Sequence, residues 1–575
     1  MNMKKVLTKI AHQLKEIFLR AKGLFLAQSL RKKLQEPEAI AAIFITAGIL
    51  FRLKHYLTNC SLWTDEAWVA VSVTSRSLWD IVRGVEIFPD FSKPPLGFLV
   101  LAKTATLVFG TQEYALRLFA FIFGIAAIFL FYRLLKRFQD QALTVLALGF
   151  FCLSPSLIYY SAELKQYSLD LALGLMLFLF FGRVAQEPLR FKESCLIGLV
   201  GAVAMWISNA ALFILAAFGF TVFFLSVFRK RWRCLACAFL IYGCWAVSFW
   251  FLYQRVLANM VTNNLLFQMW KGALLESPLF SLDAVRWIQR ALSEMFVDPL
   301  NFSVAAIAFP LFILGAVSFA RKHKAYALLF LFSILMTLLA AIFHKYPFRG
   351  RLLLFLFPGV LVCVVEGVLW LARSVRKELS LAVIVVLLLC LYNQAFFAMS
   401  HGFAKDYCRE NTREAVQFVS QQYKQGDFIF LNSAAQFPLW YYGARSNIAR
   451  HFTIEWAGME NGVPKQGVKI AKFWEGYRLL KDKRFTFFRY EFNLYNKFGQ
   501  YMKSLVRAEM TGDDVFFIFE GVPLTYPVPG DRAWVLLAGA SPRFENIVIS
   551  AFDLRFLKIA EFRTKGMIAY LYRVR

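Results

Sequence analysis

The sequence predicts a polytopic α-helical membrane protein of about 11 spans, followed by a C-terminal extracytoplasmic α/β domain. Three observations predict it. The 575 residues are 59% hydrophobic and 17% aromatic, with 63 Phe and only 18% charged, and the mean hydropathy is +0.53; soluble globular chains are not composed this way. Apolar runs long enough to approach the roughly 20 residues a bilayer-crossing helix needs recur up to about residue 400. Beyond residue 400 the pattern turns mixed, charged and alternating. Disordered, collagenous and disulfide-scaffold classes are excluded by the same composition.

Residues 1–38 form a cytoplasmic amphipathic segment in this reading. Leu7, Ile10, Leu14, Ile17 and Phe18 share one helical face, and the segment is too charged for a cleaved signal peptide. The apolar runs then fall near 39–57, 94–110, 115–133, 142–160, 168–186, 194–208, 210–228, 234–252, 303–320, 326–343, 352–372 and 380–398. Cytoplasmic loops of membrane proteins collect Lys and Arg. If the 94–110 run crosses the membrane, the clusters at Arg133/Lys136/Arg137, Arg190/Lys192, Arg229/Lys230/Arg231/Arg233, Arg321/Lys322/Lys324 and Arg373/Arg376/Lys377 all face outward. If it lies along the outer interface, all of them face inward. Pro94-Pro95 starts that run and Gly110 ends it, so it is taken as a juxtamembrane helix. The resulting membrane domain covers 39–399, with outer juxtamembrane helices in 58–114 and further outer stretches at 161–167, 253–302 and 344–351.

Residues 400–575 read as the extracytoplasmic α/β domain. A helix begins near Asn411-Thr412, and Gly426-Asp427 precedes the strand Phe428 to Leu431. Further strands are expected near 484–492, 515–519, 533–538, 546–552 and 566–573, with helices near 466–481 and 493–507.

The excess of 65 Lys+Arg over 37 Asp+Glu, a net +28, suits anionic headgroups or phosphate-bearing substrates. No basic-aromatic module accompanies it, so nucleic acid is not expected as a partner. The nine Cys are scattered, most of them inside apolar runs, which makes a disulfide framework unexpected. Cys234 and Cys237 form a CxxC without further ligands at the start of an apolar run.

Three outer boundaries carry groups that could do chemistry. Ser61-Leu-Trp63-Thr64-Asp65-Glu66-Ala67-Trp68 places two adjacent carboxylates beside hydrocarbon, where charge is costly unless water, a metal or a substrate accommodates it. An acid there could accept a proton from an attacking hydroxyl or amine, or hold a divalent cation; surface acids within an interfacial Trp belt are the plain alternative. The turn from Tyr159 to Asp170 gathers Glu163, Lys165 and three tyrosines, including Tyr167. It suits either an interfacial anchor or a site for a lipid-linked phosphate and its sugar. His344-Lys345-Tyr346-Pro347-Phe348-Arg349-Gly350-Arg351 sets cations on the side where the charge rule does not expect them, so an anion is expected there, for which outer-leaflet headgroups suffice and a phosphate leaving group is the better match.

In order, Asp65-Glu66, Lys93-Pro94-Pro95-Leu96, Gly110 to Leu118 with Glu113 and Arg117, Ser161 to Leu169, and Tyr346-Pro347-Phe348 to Leu352 resemble the GT-C class of membrane glycosyltransferases. The likeness is to the branch of the protein O-mannosyltransferases and lipid A aminoarabinose transferases, and it covers roughly residues 40 to 400. Two departures stand out. Lys165-Gln166-Tyr167 replaces the Arg usual before the tyrosine, and Arg349-Gly350-Arg351 replaces Gly-Gly-Arg. The cation survives in the first but loses bidentate geometry.

The resemblance implies a polyprenyl-phosphate-linked sugar as donor and inverting transfer to an envelope acceptor. The expected setting is the outer face of a bacterial inner (cytoplasmic) membrane, N-terminus cytoplasmic and C-terminal domain periplasmic. By analogy Asp65 is the base or a metal ligand and Glu66 supports it. Lys165 and Arg351, then Lys93, Arg117 and Arg349, would neutralise the departing phosphate. Glu163, Tyr167 and Tyr346 would line the substrate pocket. Some members of the class use a divalent cation and others do not, and the sequence leaves both open. It likewise leaves open lipopolysaccharide core or lipid A, another envelope lipid, a polysaccharide or a protein as acceptor. The competing reading is a lipid or solute transporter or flippase, for which Glu366 is the main mid-span acid.

Overall fold

A computed structural model describes residues 36–84, 94–184, 191–258 except 229 and 231, 270–386 except 377–378, 389, 408–443 except 425–426, 459–460, 463–464, 515–518, and 530–574 except 531, 541 and 554–555. The expected N-terminal amphipathic helix, Lys93, the 484–492 strand and the helices at 466–481 and 493–507 lie outside the described residues.

Among the described residues the secondary structure of the membrane part is helical. Long apolar segments hydrogen-bond their backbone internally, which hydrocarbon demands. Helix α1 (Pro37–Thr58) leads to α2 (Thr64–Thr74) and the short α3 (Leu78–Arg83), then α4 (Leu96–Phe109) and α5 (Glu113–Lys136). The 142–160 run is divided into α6 (Gln141–Leu153) and α7 (Pro155–Tyr160). Pro155 removes a backbone donor there, and the Ser154 hydroxyl caps the new helix by accepting from Leu157 N. Helices α8 (Tyr167–Val184), α9 (Phe191–Ile207), α10 (Ala211–Phe228) and α11 (Trp232–Leu252) follow. After them come α12 (Leu282–Val297), α13 (Ala305–Lys322), α14 (Lys324–Ile342), a 3₁₀ turn (Gly350–Leu356) and α15 (Phe357–Ser374).

Among the described residues seven helical segments are long and apolar enough to cross a membrane: Pro37–Thr58, Glu113–Lys136, Ala211–Phe228, Cys237–Leu257, Ala305–Lys322, Lys324–Ile342 and Gly350–Ser374. Leu96–Phe109, Gln141–Leu153 and Tyr167–Gly182 are apolar but shorter. The architecture is the polytopic bundle expected, whereas eleven full-length spans are not reproduced. Within the 94–110 run the helix α4 is 14 residues long, and its Lys103 turns back to donate to Val73 O at 3.1 Å, fixing α4 against the end of α2.

Helix α15 is the buried centre of the bundle. It crosses α13 at backbone contact: a Cβ added to Gly315 would lie 1.7 Å from Cys363 O, and one added to Gly367 would lie 2.0 Å from Leu311 O. Only glycine fits both positions, the small-residue packing that lets membrane helices gain dispersion contact. Peripheral helices instead show Phe220, Phe223, Phe228, Phe239, Phe249 and Phe251 on the outside, where lipid is the solvent.

Charges segregate to the two ends. At one end Lys136 pairs with Glu38 at 3.1 Å, Arg373 with Asp140 at 2.7 Å and Lys322 with the buried Glu366 at 2.6 Å. Glu366 also accepts from Ser318 Oγ at 2.7 Å, so the mid-span acid is an internally paired carboxylate. The other end carries residues 58–66, 161–167 and 344–351.

On that second end sits the C-terminal domain. Its five-stranded mixed sheet has the order β4-β1-β5-β7-β6, built from β1 (Phe428–Asn432), β4 (Val515–Ile518), β5 (Arg532–Ala538), β6 (Phe556–Arg563) and β7 (Met567–Val574); two-residue strands β2 (Met459–Glu460) and β3 (Val463–Pro464) pair separately. Among the described strands of this sheet only β1 and β5 pair in parallel. Among the described residues three helices accompany it: α16 (Thr412–Gln422), α17 (Ser433–Gly443) and α18 (Pro542–Asp553). The strand expected at 546–552 is therefore helix α18. Val548 and Phe552 are buried, four residues apart, a spacing that shares one face of a helix and of a strand alike, so the pair by itself did not mark the helix. The sheet is not a separate globule: Ala67, Trp68 and Val71 of α2 share one apolar core with Val416, Val419, Phe437, Tyr441, Trp534 and Met567. A disulfide, Cys60–Cys408, ties the two parts together across 348 residues; the sequence reading, which expected no disulfide framework, did not single out this pair.

A bulky residue at the α13–α15 crossing would drive the central helix away from its neighbour. Gly367→Leu is expected to lower the melting temperature of the detergent-purified chain by several degrees, read by tryptophan fluorescence, while the same change at Gly243, where nothing lies within 4 Å of an added Cβ, leaves it nearly unchanged.

Candidate functional site

Asp65 and Glu66 stand in the first turn of α2, whose N-terminus favours negative charge. Successive helical residues point about 100° apart, and the two carboxylates accordingly meet different partners. Glu66 is 2% exposed and takes a bidentate pair from Arg117, with Nε at 2.9 Å and Nη2 at 2.6 Å. Its Oε1 also accepts from Leu164 N at 2.6 Å, and Arg117 donates to the carbonyls of Cys60 at 2.6 Å and Ser61 at 3.4 Å. The pair thus fastens the 161–166 turn to the chain leading into α2.

Asp65 faces the other way. Its Oδ1 accepts from Lys165 Nζ at 2.6 Å and its Oδ2 from Arg351 Nη2 at 2.9 Å. The Asp65 side chain is 26% exposed, against 6% for Lys165, so a solute reaches the carboxylate more readily than the ammonium. Burial works to raise the Asp65 carboxyl, but the Lys165 and Arg351 cations outweigh it and hold the group below the ordinary aspartate range.

Aromatic rings wall this cluster. Lys165 Nζ lies 5.1 Å from the Trp68 ring centre, and the Arg351 guanidinium 5.2 Å from that of Trp63 and 5.6 Å from that of Tyr167. The Trp63 indole N–H donates to Glu163 Oε1 at 2.6 Å. Glu163 is buried, and among the described residues its Oε2 meets no hydrogen-bond partner. Burial pushes its carboxyl up to about 7, with the Glu66 charge adding to the effect and Arg351 and Lys165 opposing it.

Asp65, Lys165, Arg351, Glu163 and Tyr167 therefore come together. Glu66 and Arg117 pair with each other instead. Tyr346 packs on Phe213 with ring centres 4.8 Å apart and donates to Leu352 O at 3.1 Å, shaping the turn before Arg351. Arg349 is half-exposed and lies 3.7 Å from Glu294. Among the described residues no three His, Cys, Asp or Glu side chains converge as a metal-ligand set. Both Asp65 oxygens are engaged by cations that would repel a divalent ion, so the arrangement does not fit the metal-ligand role.

Residues that the sequence did not single out complete the site from the C-terminal domain. The Arg409 guanidinium stacks 3.7 Å from the Trp63 ring centre. Glu410 Oε2 accepts from Thr64 N at 3.0 Å and Thr64 Oγ1 at 3.3 Å, satisfying an orphan donor at the start of α2. Thr412 Oγ1 donates to Leu62 O at 2.6 Å, and Leu62 N donates to Tyr442 Oη at 2.8 Å. The available signal was Cys60 and Cys408, the two cysteines outside apolar runs, which the charge topology sets on one side.

These features define a polytopic membrane protein with a charged, aromatic-walled site at one membrane end. Residues 92–270 match the family described as dolichyl-phosphate-mannose-protein mannosyltransferase. That stretch holds Lys93, Arg117, Glu163, Lys165 and Tyr167, so the resemblance to GT-C-type membrane glycosyltransferases read from the sequence stands. In structure the chain is similar to the oligosaccharyltransferase of Archaeoglobus fulgidus, crystallised with Zn and sulfate, at 11% identity and a TM-score of 0.40; the match covers 69% of this chain and 57% of that one, less than two thirds of its length. It is also similar to ArnT from Cupriavidus metallidurans, each time over 92% of this chain and 97% of the other. The apo state gives 10% identity and a TM-score of 0.44, and the state bound to undecaprenyl phosphate gives 11% and 0.46. No curated protein matches the chain.

The two carboxylates should separate in a stability measurement. Glu66→Ala leaves Arg117 buried without its partner and is expected to cost about 3–5 kcal/mol, seen as loss of folded protein or a much lower melting temperature. Asp65→Asn, at a partly open position, is expected to melt close to the native chain.

Proposed function

We propose that the chain is an inverting glycosyltransferase that moves a sugar from a polyprenyl-phosphate donor to an envelope acceptor. The observation that carries this is the Asp65 carboxylate held between Lys165 Nζ and Arg351 Nη2 at one membrane end. Two cations already spaced around one carboxylate suit a phosphate equally well, since both ligands present paired oxygens. A donor phosphate taking over Lys165 and Arg351 would release Asp65. Losing its counter-charges raises the proton affinity of that carboxylate, which makes it a better base at the moment the donor is bound.

The acceptor hydroxyl or amine then gives its proton to Asp65 while its heteroatom bonds to the anomeric carbon. The C–O bond to phosphate breaks, and its electron pair leaves with the phosphate. Lys165 and Arg351 stabilise the charge that grows there. Attack opposite the leaving group inverts the anomeric centre. Tyr167, Trp63 and Trp68 offer flat faces for the sugar. Glu66 and Arg117 act through the 161–166 turn they fasten, and Tyr346 through the turn before Arg351; Arg349 and Lys93 would extend the cationic path for the lipid phosphate.

The site end is read as the outer face of a bacterial cytoplasmic membrane, with residues 400–575 outside. Support comes from the basic ends of α5, α13 and α15, which lie at the opposite end of the bundle. The Cys60–Cys408 disulfide at the site end suits an oxidising compartment. Acceptor candidates are lipopolysaccharide, another envelope lipid, a polysaccharide or a protein. Transport loses its motive in Glu366, which pairs with Lys322 and Ser318.

Membranes carrying the native chain are expected to transfer labelled sugar from a polyprenyl-phosphate donor into one of the lipid, polysaccharide or protein fractions. Asp65→Asn at equal abundance is expected to lose at least about a hundredfold of that rate; equal labelling by both would end the assignment of Asp65, and labelling no higher than in membranes without the chain would end the reaction. A second outcome concerns pH. Below about 7 the Glu163 carboxyl is neutral and leaves the Lys165 and Arg351 charge available; above it the carboxylate competes for them. The KM for a polyprenyl-phosphodiester donor should therefore rise as pH passes upward through about 7, and Glu163→Gln should flatten that rise.

A further inference from the structure

We propose that Arg409, delivered by the C-terminal domain, is a third cation of the site and binds an oxyanion group of a substrate. The inference rests on the glycosyltransferase reading and deepens it, since it assigns the C-terminal domain a share in substrate binding.

Placement carries the argument. The Arg409 guanidinium lies 3.7 Å from the ring centre of Trp63, the indole that Arg351 approaches at 5.2 Å and that donates to Glu163. One ring therefore touches a cation from each half of the molecule. Stacking on an indole fixes a guanidinium's plane while leaving its N–H edge free to bond an oxyanion.

Arg409 is also held from both sides along the chain. Cys408 is bonded to Cys60, and Glu410 accepts from Thr64 N and Oγ1 at the start of the helix that carries Asp65. The cation is thus anchored within a few residues of the site by a covalent link and a buried carboxylate. A surface arginine would have neither.

Its charge is not spent on the protein. Arg117 is matched by Glu66, and Lys165 and Arg351 by Asp65. Among the described residues no carboxylate lies within ion-pair distance of Arg409, which is exposed to solvent. Its field still reaches the site, where it favours the ionised form of Asp65. An uncompensated guanidinium at fixed position beside two cations that share a single carboxylate attracts a further anion. The matching chemistry is a phosphate or carboxylate, carried either by the lipid donor or by the acceptor.

Full-length chain in detergent, as native protein, Arg409→Gln and Arg409→Lys, would be titrated with undecaprenyl phosphate and then assayed for sugar transfer with donor and envelope-extract acceptor varied separately. Arg409→Gln is expected to weaken one anionic ligand by about tenfold or more, with Arg409→Lys recovering part of the loss and both variants keeping the disulfide and the native melting temperature. A weaker Kd for undecaprenyl phosphate assigns Arg409 to the donor; an unchanged Kd with a raised acceptor KM assigns it to an anionic acceptor. Unchanged Kd and KM values overturn the proposal, and so does equal loss in both variants with a lowered melting temperature, which marks a purely structural arginine. A native chain that neither binds undecaprenyl phosphate nor transfers sugar removes the glycosyltransferase reading itself, whereas native activity matched by Arg409→Gln removes only Arg409.

Discussion

Placing two neighbouring carboxylates beside a membrane is the constraint around which this molecule is arranged. Neither Asp65 nor Glu66 could stay ionised there alone, because desolvation would cost several kcal/mol each. Helical geometry sends them in different directions, and each is met by cations from distant parts of the chain. Arg117 closes on Glu66 with two parallel bonds in a dry setting, and with the Leu164 amide it engages both carboxylate oxygens. Lys165 and Arg351 share Asp65 at a partly open position, where water or a ligand can compete. Burial thus divides one Asp-Glu pair into a dry, fully enclosed member and a partly open one.

The second consequence is that the short helix bearing both acids cannot be positioned by the membrane bundle alone. Its apolar side, with Ala67, Trp68 and Val71, completes a core whose other half is the C-terminal sheet and its helices. Glu410 satisfies the donor at its first residue, Thr412 and Tyr442 bond the backbone of Leu62, and Arg413 bridges Glu113 at 2.8 Å to the carbonyl of Asn59 at 2.9 Å. A domain attached only by a linker would move independently of the site. This one shares its core and a disulfide with it, so the loop from Cys60 to Thr64 is fixed between two rigid bodies, as a preorganised site requires.

The bundle solves a different problem in the same solvent. Lipid offers helices no hydrophobic reason to associate, so the central helix is held by closeness: Gly315 and Gly367 bring α13 and α15 to backbone contact, and Glu366 ties the same pair through Ser318 and Lys322. That acid, which by sequence invited a transport reading, is a clasp between helices at the end away from the site.

Composition and periodicity are local properties, and whatever depends on them was legible in the chain: the membrane helices, their basic ends and the strands at Phe428, Val515, Arg532 and Met567. The residue types at Asp65, Lys165 and Arg351 were legible too, because charge beside hydrocarbon is conspicuous in any single sequence. Which acid meets which cation was not, since pairings across 51 residues for Glu66 and Arg117 and 286 for Asp65 and Arg351 leave no mark in spacing. The same holds for Cys60 with Cys408, for Arg409 over Trp63 and for the helix at Pro542–Asp553, whose buried Val548 and Phe552 read equally as part of a strand until a sheet lies beneath them. Sequence fixes what each segment must hide from its solvent; only the packed chain decides which partner hides it.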